Sequence, residues 1–139
     1  MKTKHHPIPK KITGTKMKLI YIAGPFRASN SWEMEQNIRR AETLALEVWR
    51  SGAAALCPHA NTRFYQGAAP DDVWLKGDLL MLSKCDALML VEGWSISIGT
   101  RAEIAFAFDN GIPVFSEINW LKRWIAGEGS RSMDRGDCL

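Results

Sequence analysis

A carboxylate with no helical ion partner stands in the second half of the chain. Glu103 lies in Ala-Glu-Ile-Ala-Phe-Ala-Phe, with no Lys or Arg three or four positions away on either side, so it is not an ordinary helix-surface ion pair. Its segment, Gly93 to Pro113, follows an apolar run, Ala87 to Val91, that reads as a buried strand. The segment itself is helix-like until Gly111 and Pro113 stop it. Side chains on a helix lean toward its N-terminus, so Glu103 reaches back over Gly99, which has no side chain and leaves room for a ligand. Ser97 is the expected N-cap, and the N–H groups of Gly99 and Thr100 are expected to be unpaired donors aimed at the same space. An anion site and a carboxylate then share one pocket.

The elements that must position this pocket alternate along the chain. Leu19 to Ala23 is a first buried strand ended by Gly24-Pro25. Asn30 with Glu33 forms a capping box, and Met34, Ile38, Ala41, Ala45 and Val48 recur at helical spacing to about Ser51, with Gly52 as the stop. Ala53 to Cys57 is the second strand. Residues from His59 to Ala69 lack a period and read as a long loop over one end of the sheet. A second helix is expected from Pro70 to about Lys84, with Gly77 weakening its middle. Asp86 to Val91, Ser97 to Asn110 and Ile112 to Phe115 follow as strand, helix and strand, and Glu117 to Ala126 as a last helix. Alternating strands and helices imply an α/β fold: one small doubly wound, Rossmann- or flavodoxin-like domain with a parallel sheet of four to five strands. Ligands in such sheets bind beyond the carboxyl ends of the strands. That edge gathers Tyr21 to Arg27, His59 to Asn61 and Trp94 to Glu103, with Asp78 brought near by the second helix. His59, Asn61 and Tyr65 are candidates for recognising a ligand ring from the loop, and Trp94 is placed either to stack on it or to cover the site.

Composition bounds the function classes. The 139 residues are 46% hydrophobic with no apolar run of membrane-span length, which fits one globular domain and no membrane partner. Three cysteines, Cys57, Cys85 and Cys138, are spaced for neither a disulfide framework nor a metal clip. A reducing, cytoplasmic location is expected, with no metal and no organic cofactor. The net charge of +3 resides in the leading segment, since residues 1–18 hold six lysines and no acid. The remainder carries 12 basic against 15 acidic side chains and offers no basic face, so no nucleic acid is expected as a partner. The expected organisation is a flexible basic tail over residues 1–17, the domain over 18–126, and a frayed C-terminal tail over 127–139.

Four stretches in order, Tyr21-Ile-Ala-Gly24-Pro25-Phe-Arg27, Asp71 to Asp78, Cys85-Asp86-Ala87, and Ser97-x-Gly99-Thr100-x-x-Glu103, resemble the nucleoside 2-deoxyribosyltransferase superfamily over roughly residues 18–115. Ser97 stands six residues before the glutamate, where transferases usually carry Asp and the 2'-deoxynucleoside 5'-monophosphate N-glycosidases carry a phosphate-binding Ser. Gly93-Trp94 is similar to uncharacterised, often phage-encoded relatives. The resemblance implies that Glu103 attacks C1' of a deoxyribose, that Tyr21 hydrogen-bonds Glu103, and that Asp78 protonates or anchors the leaving base. It further implies that Arg27, Ser97, Gly99 and Thr100 hold a 5'-phosphate, and that Gly24, before Pro25, lets the ligand approach the backbone. Ser97 also reads simply as an N-cap. The reading that the resemblance favours is hydrolysis of the base-deoxyribose bond of a 2'-deoxynucleoside 5'-monophosphate, with base exchange and ligand sensing without turnover as the alternatives. The resemblance and the tryptophan-rich C-terminal end, Trp120 and Trp124, together imply a homo-oligomer, a dimer or larger.

Overall fold

The computed structural model describes residues 17–138. Two strands form its centre because their residues are apolar without interruption: β1, Leu19–Ala23, and β3, Ala87–Leu90, are buried along almost their whole length. The edge strands β2, Ala54–Leu56, and β4, Val114–Phe115, complete a parallel sheet in the order β2-β1-β3-β4. Tyr21 pairs with Leu56 on one side and Leu88 on the other. The expected small doubly wound α/β fold is therefore the observed one, with four strands among the described residues.

Alternation along the central strands divides the core into two layers. Ile20, Ile22, Met89 and Phe115 pack against Ala41, Ala45 and Val48 of helix α1, Ser31–Arg50, and against Leu121 of α5, Ile118–Ile125. On the opposite face Tyr21, Ala23, Leu88 and Val114 meet Leu82 of α3, Asp71–Ser83, and Ile104 and Ala107 of α4, Ile98–Asp109. Since α3 and α4 cover the face that carries Tyr21, their inward side chains Asp78 and Glu103 converge on it.

Local chemistry explains most boundaries. The Asn30 side chain accepts from Glu33 N at 2.8 Å, while the Glu33 carboxylate turns to the Ser29 hydroxyl, so only the forward half of the capping box forms. Gly111 takes a left-handed φ of 68°, and Ile112 N returns to Ala107 O at 2.8 Å, closing α4. Two expectations are corrected. The loop after β2 begins with a helical turn, α2, Pro58–Asn61, which Pro58 starts at its first position. The C-terminal segment is not frayed over its described length: Met133 N donates to Val114 O at 2.7 Å, and the turn α6, Arg135–Cys138, buries Cys138 against the α4 side of the sheet. The basic tail expected over residues 1–17 lies outside the described residues except for Met17. No helix among the described residues is long and apolar enough to cross a membrane.

Candidate active site

The strand order reverses direction between β1 and β3, and a cleft of about 670 Å³ opens beyond their carboxyl ends, where such sheets hold ligands. Its floor is built by α4. Thr100, Glu103, Ile104 and Ala107, at the i, i+3, i+4 and i+7 positions, form the buried stripe of that helix, so Glu103 occupies a position where packing would ordinarily place an apolar side chain. It is 9% exposed. Burial pushes its pKa up to about 8; the Tyr21 hydroxyl pulls it down and the Asp78 charge pushes it further up. Asp78, half-buried on α3, is pushed up to about 6 by desolvation.

Tyr21 is fully buried and its hydroxyl has no well-aligned hydrogen-bond partner. Burial, then the neighbouring Glu103 and Asp78 charges, push its pKa far above the usual phenol value, so it remains a proton-bearing donor at every working pH. A buried hydroxyl whose nearby acceptor is a poorly aligned, buried carboxylate is costly to the fold. Of the candidates from sequence, Tyr21, Asp78 and Glu103 are thus brought together, and Gly24, Pro25, Arg27, His59, Ser97, Gly99 and Thr100 also meet in or beside the cleft.

Several of them do other work than expected. The Ser97 hydroxyl accepts from Thr100 N at 3.2 Å and from the Thr100 hydroxyl at 2.9 Å. The Thr100 N–H is therefore not a free donor, a correction to the expected pair; Gly99 and the proton of the Ser97 hydroxyl remain. Gly99 faces open space, where a side chain would intrude on the cleft. Gly24 lines the cleft and is also needed for packing: a Cβ there would come within 2.8 Å of Val91 Cγ2. Arg27 pairs with Asp71 at the start of α3, both exposed at the rim. The His59 Nε2–H donates to Pro25 O at 2.8 Å and the ring meets Phe26 edge-on, while burial lowers its pKa and keeps it neutral. His59 thus holds the Gly24-Pro25 wall in place. Asn37 adds a second tie, its amide donating to Phe26 O at 3.1 Å.

Trp94 packs into the core layer that contains Tyr21 and Leu90 and does not line the cleft; the expectation that it borders the ligand is corrected. Among the described residues the tryptophan that lines the cleft is Trp74. Ile96 and Ile98, at 84% and 88% exposed, also stand at the mouth. They flank Ser97 and a helix start, and that position was the one available signal. Asn61 and Tyr65 lie off the lining, where Thr62 and Gln66 face inward instead. Among the described residues no cluster of three His, Cys, Asp or Glu side chains comes together for a metal.

Among solved structures, the chain is similar to a conserved protein from Enterococcus faecalis V583, with 23% identity and a TM-score of 0.57 over 70% of this chain and 61% of that one. It is also similar to a 2-deoxyribosyltransferase from Bacillus psychrosaccharolyticus, with 21% identity and a TM-score of 0.51 over 69% of each chain. The chain spans less than two thirds of the first of these, and at such identities the likeness is one of fold. No curated protein matches the sequence. A family model matches residues 18–117, most of the chain, and the chain belongs to the family that this model defines, Domain of unknown function DUF7768.

Proposed function

We propose that this protein is an N-glycosidase that cleaves the bond between base and deoxyribose in 2'-deoxynucleoside 5'-monophosphates, in the manner of the nucleoside 2-deoxyribosyltransferase superfamily. The observation that carries this reading is the buried trio of Glu103, Tyr21 and Asp78 at the switch point of the sheet. The fold it shares with a 2-deoxyribosyltransferase supports the same chemistry.

In the proposed reaction the Glu103 carboxylate attacks C1', the C1'–N bond breaks with its electrons passing to the base, and the Asp78 carboxyl gives that base a proton. Water then attacks C1' of the ester, loses its proton to Asp78, and releases the sugar with Glu103 restored. Between pH of about 6 and about 8 Asp78 and Glu103 share one proton. Burial keeps that proton mainly on Glu103; the reactive form is the minority one in which it has passed to Asp78, and the Tyr21 hydroxyl, donating to Glu103, lowers the cost of that transfer. Ser97, Gly99 and Arg27 hold the phosphate, which must compete with Asp71 for the guanidinium.

One observation favours a second reading. Among the described residues Asp71, Asp72, Asp78 and Glu103 border the cleft against one cation, Arg27, a balance that suits a neutral nucleoside and hence base exchange. Base release measured by chromatography separates them. The proposal expects release from monophosphates and little from free nucleosides; the second reading expects exchange from nucleosides only when an acceptor base is added. Binding without turnover of any substrate would leave a sensing module. A homo-oligomer is part of the proposal, supported by the exposed Ile96 and Ile98. The tryptophan-rich end no longer supports it, because Trp120 and Trp124 pack on the core of the protomer. Light scattering at two concentrations tests that part, and a monomer at both would contradict it.

A further inference from the structure

We infer that Trp74 reads the leaving base: its indole N–H hydrogen-bonds a carbonyl oxygen on the base, so that among purines the cleft prefers a 6-oxo ring to a 6-amino ring. The inference rests on the proposed function for the identity of the ligand. Its own observation is separate. The indole nitrogen of Trp74 is buried and has no acceptor among the described residues, although the residue lines the cleft. An indole N–H can only donate, and a buried donor left unpaired is costly, so a turn of the ring that brings the N–H to the cleft edge, onto an acceptor that the ligand supplies, relieves that cost. The ring is held by Tyr65, whose centroid lies 5.7 Å away at an interplanar angle of 42°.

Trp74 and Asp78 lie four residues apart on α3 and both border the cleft, so they present neighbouring donors on one face of the helix once Asp78 holds the proton it must give. A purine offers two acceptors side by side on its major-groove edge, N7 and the oxygen at position 6, when the base is guanine or hypoxanthine. With adenine the second of these becomes an amino group, and a donor then faces a donor. A site built around a hydrogen bond rejects the analogue that cannot make it far more strongly than an apolar pocket rejects a similar shape.

The test is calorimetric titration of 2'-deoxyinosine and 2'-deoxyadenosine 5'-monophosphates into Glu103→Gln protein, which does not consume them, with and without Trp74→Phe. The expected result is roughly tenfold tighter binding of the oxo nucleotide, reduced to near parity by Trp74→Phe. The melting temperature of Trp74→Phe should be unchanged or higher, because an unpaired buried donor has been removed. Equal binding of the two nucleotides overturns the inference without reference to any variant. So does a ratio that Trp74→Phe leaves intact, no binding of either nucleotide, or a lowered melting temperature with both ligands weakened alike, which would mean that the N–H serves the fold. Discrimination that persists in a protein without base release would sink the glycosidase reading and leave Trp74 as the reader. Base release without discrimination would do the reverse.

Discussion

Two carboxylates flank the ends of the central strands, and they have opposite fates. At the amino end of the sheet the Asp86 side chain accepts the Leu19 N–H at 2.8 Å, remains exposed, and closes the start of β1. At the carboxyl end Glu103 is buried beside a phenol with no well-aligned partner and a second acid. In sequence Asp86 directly precedes β3, and Glu103 lies in the helix that follows it. The exposed carboxylate serves the fold, and the buried one has the raised pKa and the titratable neighbours that mark a functional candidate.

Removing each acid in turn sharpens that contrast most. Base release by Glu103→Gln is expected to fall at least about a thousandfold, as for other enzymes that lose their nucleophile. Asp86→Ala should keep kcat within about twofold and instead lower stability by about 1 kcal/mol, the worth of one exposed hydrogen bond. Chromatographic assay and urea denaturation of both variants measure the two effects.

The pH dependence separates the two ends next. In the free enzyme kcat/KM should be level between pH of about 6 and about 8, the values set for Asp78 and Glu103. Below that window the nucleophile is protonated, and above it the acid is lost, so each limb should fall about tenfold per pH unit. Asp86→Ala should leave the profile unmoved. A monotonic profile would break the pairing of Glu103 with Asp78.

The same burial has a cost for stability, with a definite sign. The pKa of Glu103 is raised from 4.5 to about 8 in the folded chain, so between those values the unfolded chain has lost a proton that the folded chain keeps. Stability therefore declines as pH rises from about 4.5 to about 8, and Asp78 adds to the decline up to about 6. Glu103→Gln removes the larger part of this slope. Denaturation at pH 5 and pH 8 should show wild type losing on the order of 3 kcal/mol more than the variant.

Smaller effects distinguish the glycines of the two regions. Gly24→Ala forces Val91 to move at the cleft wall and should cost about 1–3 kcal/mol. Gly77→Ala, in the middle of α3 with nothing near its added methyl, should stabilise by about 0.5–1 kcal/mol. Melting temperatures of the two variants, moving in opposite directions, check both.

What was legible in the sequence follows from how local each signal is. The continuous apolar runs of β1 and β3, the Asn30 cap of α1 and the Ser97 cap of α4 are each decided by a few adjacent residues, and the structure places them within a residue or two of expectation. The convergence of Tyr21, Asp78 and Glu103 was legible because sheet topology fixes which strand ends meet. Which tryptophan faces the cleft was not, since the choice between Trp74 on α3 and Trp94 in the turn after β3 depends on how those elements pack against the sheet. The return of residues 133–138 to β4 depends on one backbone hydrogen bond, Met133 N to Val114 O, and on the burial of Cys138. No period in Gly127 to Leu139 announces either. The role of His59 depends on a carbonyl 34 residues away, a contact that no local pattern encodes.

The most direct test of Glu103 as nucleophile is to trap it. Incubation with 2'-fluoro-substituted deoxynucleoside monophosphates, whose fluorine slows breakdown of a glycosyl ester, followed by proteolysis and mass spectrometry, reads the attachment site. The predicted result is one sugar phosphate on the peptide that contains Glu103, formed as one equivalent of base is released. Base released with that peptide unmodified, or the sugar attached to another residue, would contradict the central claim.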